Sequence, residues 1–134
     1  MKEGQQLPRH FHYEKTEDII NRCGGTLCVE VWNSRPESEG YTVDEESEVT
    51  VYCDGMKVTV PAGGVVKVTP GNSITLTPYI YHRFYAEGGE LIVGEVSKVN
   101  DDARDNHFSE ETHHTIEEDE PVRHLLCGGY VMEF

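Results

Sequence analysis

The sequence predicts an all-β protein, an antiparallel sandwich or barrel built from short strands. β-prone runs recur about every eight residues through the middle of the chain, and glycine or proline turns separate them. No helical period of comparable length competes with this pattern. A chain of 134 residues can bury one core, so a single domain is expected.

The strands can be placed in order from the turn signals between them. Two runs, 18–22 and 26–33, flank Gly24-Gly25 and predict a hairpin, and the polar stretch 34–48 predicts a loop. Gly88-Gly89 predicts another turn, between the last two strands. The later strands are predicted at 48–52, 56–60, 64–68, 73–77, 81–85 and 90–96.

Side chains that can bind a metal ion stand close together near the start of the chain. Successive side chains of a strand point to opposite faces, so His10 and His12 point the same way. After a turn, Lys15 and Glu17 also share a face. Imidazole nitrogen and carboxylate oxygen suit manganese, iron, zinc or nickel. A further ligand must come from a distant part of the sequence, and His82 is the natural candidate.

The spacing around these residues matches the first cupin motif in full. Gly4 is followed by five residues and His10, then by one residue and His12. Four residues then precede Glu17, and six more precede Gly24. A pair of histidines two residues apart also occurs by chance on solvated strands. In this chain, however, every position of the longer motif carries the expected residue.

The segment 71–82 resembles the second cupin motif, which is built around a proline and a histidine. The interval between Pro78 and His82 is one residue shorter than is usual in cupins, and Ile80 stands where they carry a glycine. The resemblance implies a cupin fold, a double-stranded β-helix or jelly-roll barrel. It also implies that one divalent ion is bound by His10, His12, Glu17 and His82.

The character of the chain changes after the last predicted strand. The barrel core is expected over about 4–96, and the stretch 97–120 is polar and ends in an acidic run. The apolar segment that follows predicts a return to the barrel over 121–134. A long excursion between core elements is often functional, so this one is a candidate part of the site.

Composition excludes several classes of partner. The net charge of −14, with 25 acidic against 11 basic residues, disfavours nucleic acid and anionic membranes. No apolar stretch approaches the length of a membrane span, and the first residues lack the apolar core of a signal peptide. Four cysteines without a CxxC pair predict reduced thiols. A soluble protein of the cytoplasm is therefore expected.

Three longer strings carry a closer resemblance, to the D-lyxose isomerase family of sugar ketol-isomerases. They are residues 4–25, 71–106 and 115–127, and the resemblance extends from Gly4 to about Tyr130. Most specific is the family pattern HFHxxKxEDIINRGG, from which this chain departs only by Cys23 and the flanking Thr16. The VNDD run at 99–102 also matches.

The resemblance implies an aldose–ketose isomerase that acts on a free sugar. The implied pairs are D-lyxose with D-xylulose and D-mannose with D-fructose. Such a reaction moves a proton between C1 and C2, and a divalent ion can polarise the carbonyl and stabilise the enediolate. Manganese is expected, and zinc, iron and nickel fit the same ligand types.

The resemblance also implies the catalytic groups. Lys15 matches the family lysine and would be a cation beside the sugar oxygens. The base is expected in the acidic run at 116–120, where Glu118 is preferred over Glu117 because it shares a strand face with an apolar residue. Two other carboxylates remain open as bases, Glu14 and Glu95.

Two further expectations concern assembly and the alternatives to catalysis. Family members carry a substantial region ahead of the first motif, whereas this chain reaches His10 directly, so a second copy is expected to cover barrel surface in a homodimer. A non-catalytic sugar-binding or regulatory cupin remains an alternative. A cupin dioxygenase is another, because three histidines and a glutamate can also hold iron for oxygen chemistry.

Overall fold

The fold is all-β and antiparallel, as the sequence predicts. The computed structural model of the chain describes residues 1–99, 101 and 103–110. Apart from a short 3-10 turn at Glu37–Glu39, the regular elements of this part are strands. They are β1 (His10–His12), β2 (Glu17–Ser34), β3 (Val43–Asp44), β4 (Val49–Cys53), β5 (Met56–Val60), β6 (Gly64–Val68), β7 (Ser73–Leu76), β8 (Ile80–Ser97) and β9 (Asn106–Phe108). This described part of the chain contains no helix with the length and apolar character needed to cross a bilayer.

The strands form one sheet, in the order β5-β4-β7-β2-β8-β1-β9, with β3 and β6 also paired to β2. Every pairing is antiparallel, and this arrangement is consistent with the predicted cupin jelly roll. Strands β2 and β8 are its long central pair, matched from Glu17 opposite Ser97 to Asn33 opposite Ile80. On its other side, the first half of β2 pairs with β7 and the second half pairs with β6.

The hairpin predicted at Gly24-Gly25 is wrong, because β2 continues through these residues. The turn predicted at Gly88-Gly89 is likewise inside β8. The β2–β8 register shifts around Gly24, which marks a bulge instead of a chain reversal. A Cβ atom on Gly24 would lie 2.2 Å from the carbonyl oxygen of Glu90. The glycines therefore permit close contact between two bent strands.

Asn21 fixes the backbone at this bend. Its side chain is fully buried, and its amide group donates hydrogen bonds to the carbonyl oxygens of Gly25 at 2.8 Å and Val68 at 2.9 Å. Apolar side chains of β2, β4, β6, β7 and β8 form the core. The most deeply buried include Ile19, Leu27, Val29, Val31, Ile74 and Leu76.

Strand β1 brings the two sequence motifs together. His10 of the first motif stands directly opposite His82 of the second. On its other side β1 pairs with β9, where His12 stands opposite Asn106. Strand β9 lies within the stretch predicted as a polar excursion, so part of that stretch forms a wall of the site.

Candidate metal centre

Three buried histidines meet at the junction of β1 and β8. His10 and His12 lie on one face of β1 because they are two residues apart, and His82 comes from the paired strand. The side-chain nitrogens that could bind a metal lie within 4.8 Å of one another. The three residues are 8%, 5% and 1% exposed, respectively. This cluster could hold a metal ion.

Backbone contacts determine which ring nitrogen two of these histidines present. Nδ1 of His10 lies 2.8 Å from the carbonyl oxygen of Pro8, and Nδ1 of His82 lies 3.0 Å from that of Ile80. A carbonyl oxygen can only accept, so Nδ1 must carry the proton in each ring. Nε2 then keeps its lone pair, which is the form of imidazole that binds metals.

Several ring nitrogens of this cluster have no hydrogen-bond partner among the described residues. They are Nε2 of His82 and both nitrogens of His12. Buried polar atoms without a partner are uncommon and costly in folded proteins. A bound ion would satisfy the Nε2 atoms, so the residues present fit a metal.

The Glu17 carboxylate faces the same point. Its Oε1 lies 3.1 Å from Nε2 of His82, and its Oε2 lies 3.4 Å from Nε2 of His12. Neither contact has the geometry of a ring N–H hydrogen bond. Glu17 is only 3% exposed, so a charged carboxylate is buried against two imidazoles. Its position is suited to a fourth ligand.

Lys15 places a buried cation beside this carboxylate. Its ammonium nitrogen lies 2.9 Å from Oε2 of Glu17 and donates a 2.8 Å hydrogen bond to Oε1 of Glu95. Lys15 is 4% exposed, and burial alone would lower its pKa. The hydrogen bonds with Glu95 and Glu17 outweigh that effect and raise the pKa, so the group stays charged.

The ionisation states of the other groups also suit a cation site. Burial, followed by repulsion from His82, lowers the pKa of His10 to about 3, so this imidazole is neutral near neutral pH. Burial opposes ionisation of Glu17, but favourable contacts, among them the one with the Lys15 ammonium group, outweigh burial and hold its pKa below the usual value. Neutral imidazoles beside an ionised carboxylate are the forms that bind a divalent ion.

The histidines open into a cavity of about 390 Å³. One part of its wall is charged or polar, and another part is apolar. The lining residues are Leu7, Pro8, His10, His12, Lys15, Glu17, Ile19, His82, Phe84, Glu95, Asn106 and Phe108. The volume lies within the range of small-molecule sites.

The structure thus brings together most residues that the sequence singled out for the site. Glu95, one of the alternative bases, lines the cavity, whereas Glu14 is exposed. Glu118 and Glu117 lie outside the described residues, as does the whole stretch 111–134.

Sequence reasoning missed Asp105. It is a buried carboxylate, 7% exposed, that faces His12 from the segment just before β9. No motif spacing pointed to this residue. The polar character of its segment was the one available signal, and it marks a region without identifying a side chain.

Comparison with known proteins agrees with this geometry. The family model described as D-lyxose isomerase matches residues 1–130. A D-lyxose/D-mannose isomerase of Escherichia coli O157:H7 is 46% identical over 97% of this chain, and one of Serratia proteamaculans is 47% identical over the same share. The chain spans 57% of the length of each of these relatives. The chain belongs to the D-lyxose isomerase family.

Proposed function

We propose that the protein is a metal-dependent aldose–ketose isomerase that acts on a free sugar. The proposed reactions interconvert D-lyxose with D-xylulose and D-mannose with D-fructose. The observation that carries the proposal is the convergence of three buried histidines with the Lys15–Glu17 pair in one cavity. The printed names of the two relatives, D-lyxose/D-mannose isomerase, support the choice of sugars.

In this proposal His10, His12, His82 and Glu17 hold one divalent ion. Three neutral imidazoles and one carboxylate suit manganese, zinc, iron or nickel, and manganese is the proposed ion. When bound, the ion would polarise the sugar carbonyl and stabilise negative charge on the sugar oxygens. Because Glu17 is ionised and His10 is neutral, neither of these two residues must lose a proton before it binds an ion.

Lys15 is proposed to stabilise negative charge on the substrate oxygens. Its raised pKa makes it a hydrogen-bond donor and a poor base at neutral pH. Contacts with Glu17 and Glu95 hold the ammonium group at the cavity wall, so its position is set before a sugar arrives.

A carboxylate must move the proton between C1 and C2 of the open-chain sugar. Glu118 is the proposed base, and the resemblance of the acidic run to the family supports it. Glu95 is the competing candidate, because it lines the cavity and is 43% exposed at its side chain. Its Oε1 is already hydrogen-bonded to Lys15, however, which makes Glu95 the weaker candidate.

The proposal extends to partners and location. A small neutral sugar is the expected ligand, and the strongly negative net charge disfavours nucleic acid. A homodimer is proposed, in which a second copy covers exposed apolar side chains. These include Ile92 and Val96 near the end of β8, and Val99 just beyond it. A cytoplasmic location is proposed, since the cysteine pattern lacks a disulfide framework.

The decisive experiment is incubation of the manganese-loaded protein with D-lyxose and, separately, with D-mannose in D₂O. Formation of the ketose, with solvent deuterium incorporated into the sugar, would support proton transfer at the proposed site. His12→Ala and chelator-treated protein are the controls and should give neither. Sugar binding without ketose or exchange would favour the binding-module alternative. Oxygen consumption with a sugar would favour the dioxygenase.

A further inference from the structure

His12 differs from the other two histidines of the cluster in the hydrogen bonding of its Nδ1 atom. Nδ1 of His10 and Nδ1 of His82 each meet a backbone carbonyl oxygen. Nδ1 of His12 is buried and has no hydrogen-bond partner among the described residues. Oδ2 of the buried Asp105 carboxylate lies 3.8 Å from this nitrogen.

The Asp105 carboxylate is itself held firmly by backbone groups. Its Oδ1 accepts a 2.7 Å hydrogen bond from the backbone N–H of Glu14. Its carbonyl oxygen accepts the N–H of Tyr13 at 3.1 Å, and its own N–H donates to the carbonyl oxygen of Asp101 at 2.9 Å. Oδ2 is the carboxylate oxygen that faces His12.

The pairing of β1 with β9 brings the two residues near each other, and Asp105 lies just outside the regular strand. His12 is paired with Asn106 of β9, and Asp105 is the residue immediately before it. Asp105 is 7% exposed and His12 is 5% exposed, so the contact is shielded from water. A buried carboxylate without a full set of partners strongly favours a nearby donor.

The His12 ring stands between two carboxylates, and the N–H group of the neutral ring faces one of them. If Nε2 carried the proton, it would point toward Glu17 and could not bind an ion. If Nδ1 carries it, the proton points toward Asp105 and Nε2 keeps its lone pair. The position of Asp105 therefore matters for which tautomer is present.

We propose that Asp105 is the positioning residue for His12: it accepts the Nδ1 proton and thereby directs Nε2 into the metal centre. This inference rests on the metal centre proposed above and adds to it a carboxylate–histidine–metal arrangement. The 3.8 Å contact is longer than a hydrogen bond, so the proposal requires the His12 ring and the Asp105 carboxylate to come closer together. Such a partner fixes the ring orientation and makes the imidazole a stronger ligand.

Asp105→Asn is the informative substitution. The side-chain oxygen of asparagine can still accept the N–H of Glu14, which keeps the local backbone contact. The amide NH₂ then faces Nδ1 of His12 and donates to it, which places the ring proton on Nε2. The variant thus favours the tautomer that cannot bind while preserving the loop.

Asp54→Asn is the matched control. Asp54 also accepts a backbone N–H, from Ser73 at 2.9 Å, but it does not line the cavity. Both variants therefore change a carboxylate that accepts a hydrogen bond from a backbone N–H group. Of the two carboxylates, only that of Asp105 faces a histidine of the cluster.

The test measures zinc affinity of the metal-stripped full chain by competition with a chromophoric chelator. Asp105→Asn is expected to weaken zinc binding by about 10- to 100-fold, with Asp54→Asn close to the unmodified protein. The melting temperatures of the metal-free variants should be similar. A loss of affinity accompanied by a metal-free melting temperature well below that of Asp54→Asn would assign Asp105 a structural role and overturn the inference.

A second measurement does not depend on any variant. Long-range ¹H–¹⁵N NMR spectra of the zinc-loaded, unmodified protein should show that Nδ1 of His12 carries the proton. Zinc bound through Nδ1, or unchanged zinc affinity in Asp105→Asn, would refute the role of Asp105 and leave the metal centre standing. If the unmodified protein binds no zinc or manganese, the metal centre and this inference fail together.

Discussion

The ammonium nitrogen of Lys15 lies 2.9 Å from Oε2 of Glu17, and both side chains are almost completely buried. A buried ion pair is weak evidence for stability, because the loss of hydration offsets much of the attraction. The pair lines the same cavity as the three histidines, which suits a functional role instead.

Replacement of Lys15 by methionine should damage turnover much more than metal binding. The substitution removes the cation from the cavity wall while keeping most of the side-chain volume. We expect kcat for ketose formation to fall on the order of a hundredfold or more, with metal content retained. Assays with saturating manganese and elemental analysis of the same samples would measure both.

Lys67→Met is the matched control for this variant. Lys67 also pairs with a glutamate, Glu87, but on the exposed surface, where such pairs contribute little. Its turnover should be that of the unmodified protein. A Lys15→Met variant that is equally active would show that the cation has no part in the reaction.

Replacement of Glu118 by glutamine should slow isomerisation strongly without loss of metal. Glutamine keeps the volume and much of the hydrogen bonding of glutamate but cannot accept the substrate proton. The expected loss of rate is on the order of a hundredfold or more. Rates of ketose formation and of deuterium incorporation should fall together.

Glu95→Gln is the comparison that identifies the base. Its side-chain oxygen can still accept the hydrogen bond of Lys15, so only a modest loss is expected. The opposite result, a fully active Glu118→Gln and an inactive Glu95→Gln, would assign the proton transfer to Glu95.

Replacement of His12 by alanine should lower metal content and thermal stability together. A ligand that binds only the folded state stabilises it, by about 2.7 kcal/mol at a concentration of 100 times Kd. Thermal melts with and without manganese should differ for the unmodified protein and coincide for His12→Ala.

His107→Ala provides the control for that experiment. His107 is also on a strand beside β1, but its Nδ1 is hydrogen-bonded to the hydroxyl of Tyr13 at 2.7 Å and it does not line the cavity. Its manganese-dependent gain in melting temperature should be retained. If His12→Ala also keeps that gain, the ion is bound elsewhere.

The homodimer can be checked by light scattering at micromolar concentration. The measured mass should be at least twice the 15.2 kDa of one chain. Ile92→Glu places a charge among exposed apolar side chains and should lower the measured mass if this surface forms the dimer contact. Met56→Glu is the control, because Met56 is similarly exposed but lies on β5. A stable monomer of the unmodified protein would contradict the proposal.

Residue spacing predicted the all-β fold class and the histidine cluster well because both depend on local periodicity. Alternation along a strand places His10 and His12 on one face, and the second motif supplies His82 regardless of its short interval from Pro78. The strands at Met56–Val60 and Gly64–Val68 also have the predicted bounds, because clear turns flank them.

Features that depend on contacts between distant segments could not be predicted in this way. Asp105 faces His12 only because β9 pairs with β1, and that register is not encoded in any local pattern. The hairpin predicted at Gly24 is wrong for a similar reason. A glycine pair between two β-prone runs favours a hairpin unless another strand continues alongside, as β8 does here.

Alanine substitutions at two glycines test whether β2 and β8 are in close contact at the bend. Gly24 and Gly88 both have positive φ, +98° and +76°, so alanine is strained at each. A Cβ on Gly24 would also collide with the backbone of Glu90, whereas a Cβ on Gly88 would meet nothing within 4 Å. Gly24→Ala should therefore lower the free energy of unfolding by about 1–3 kcal/mol more than Gly88→Ala, as measured by urea denaturation. Equal losses would mean that β2 and β8 are not in close contact at the bend, since the shared backbone strain would then account for the whole effect.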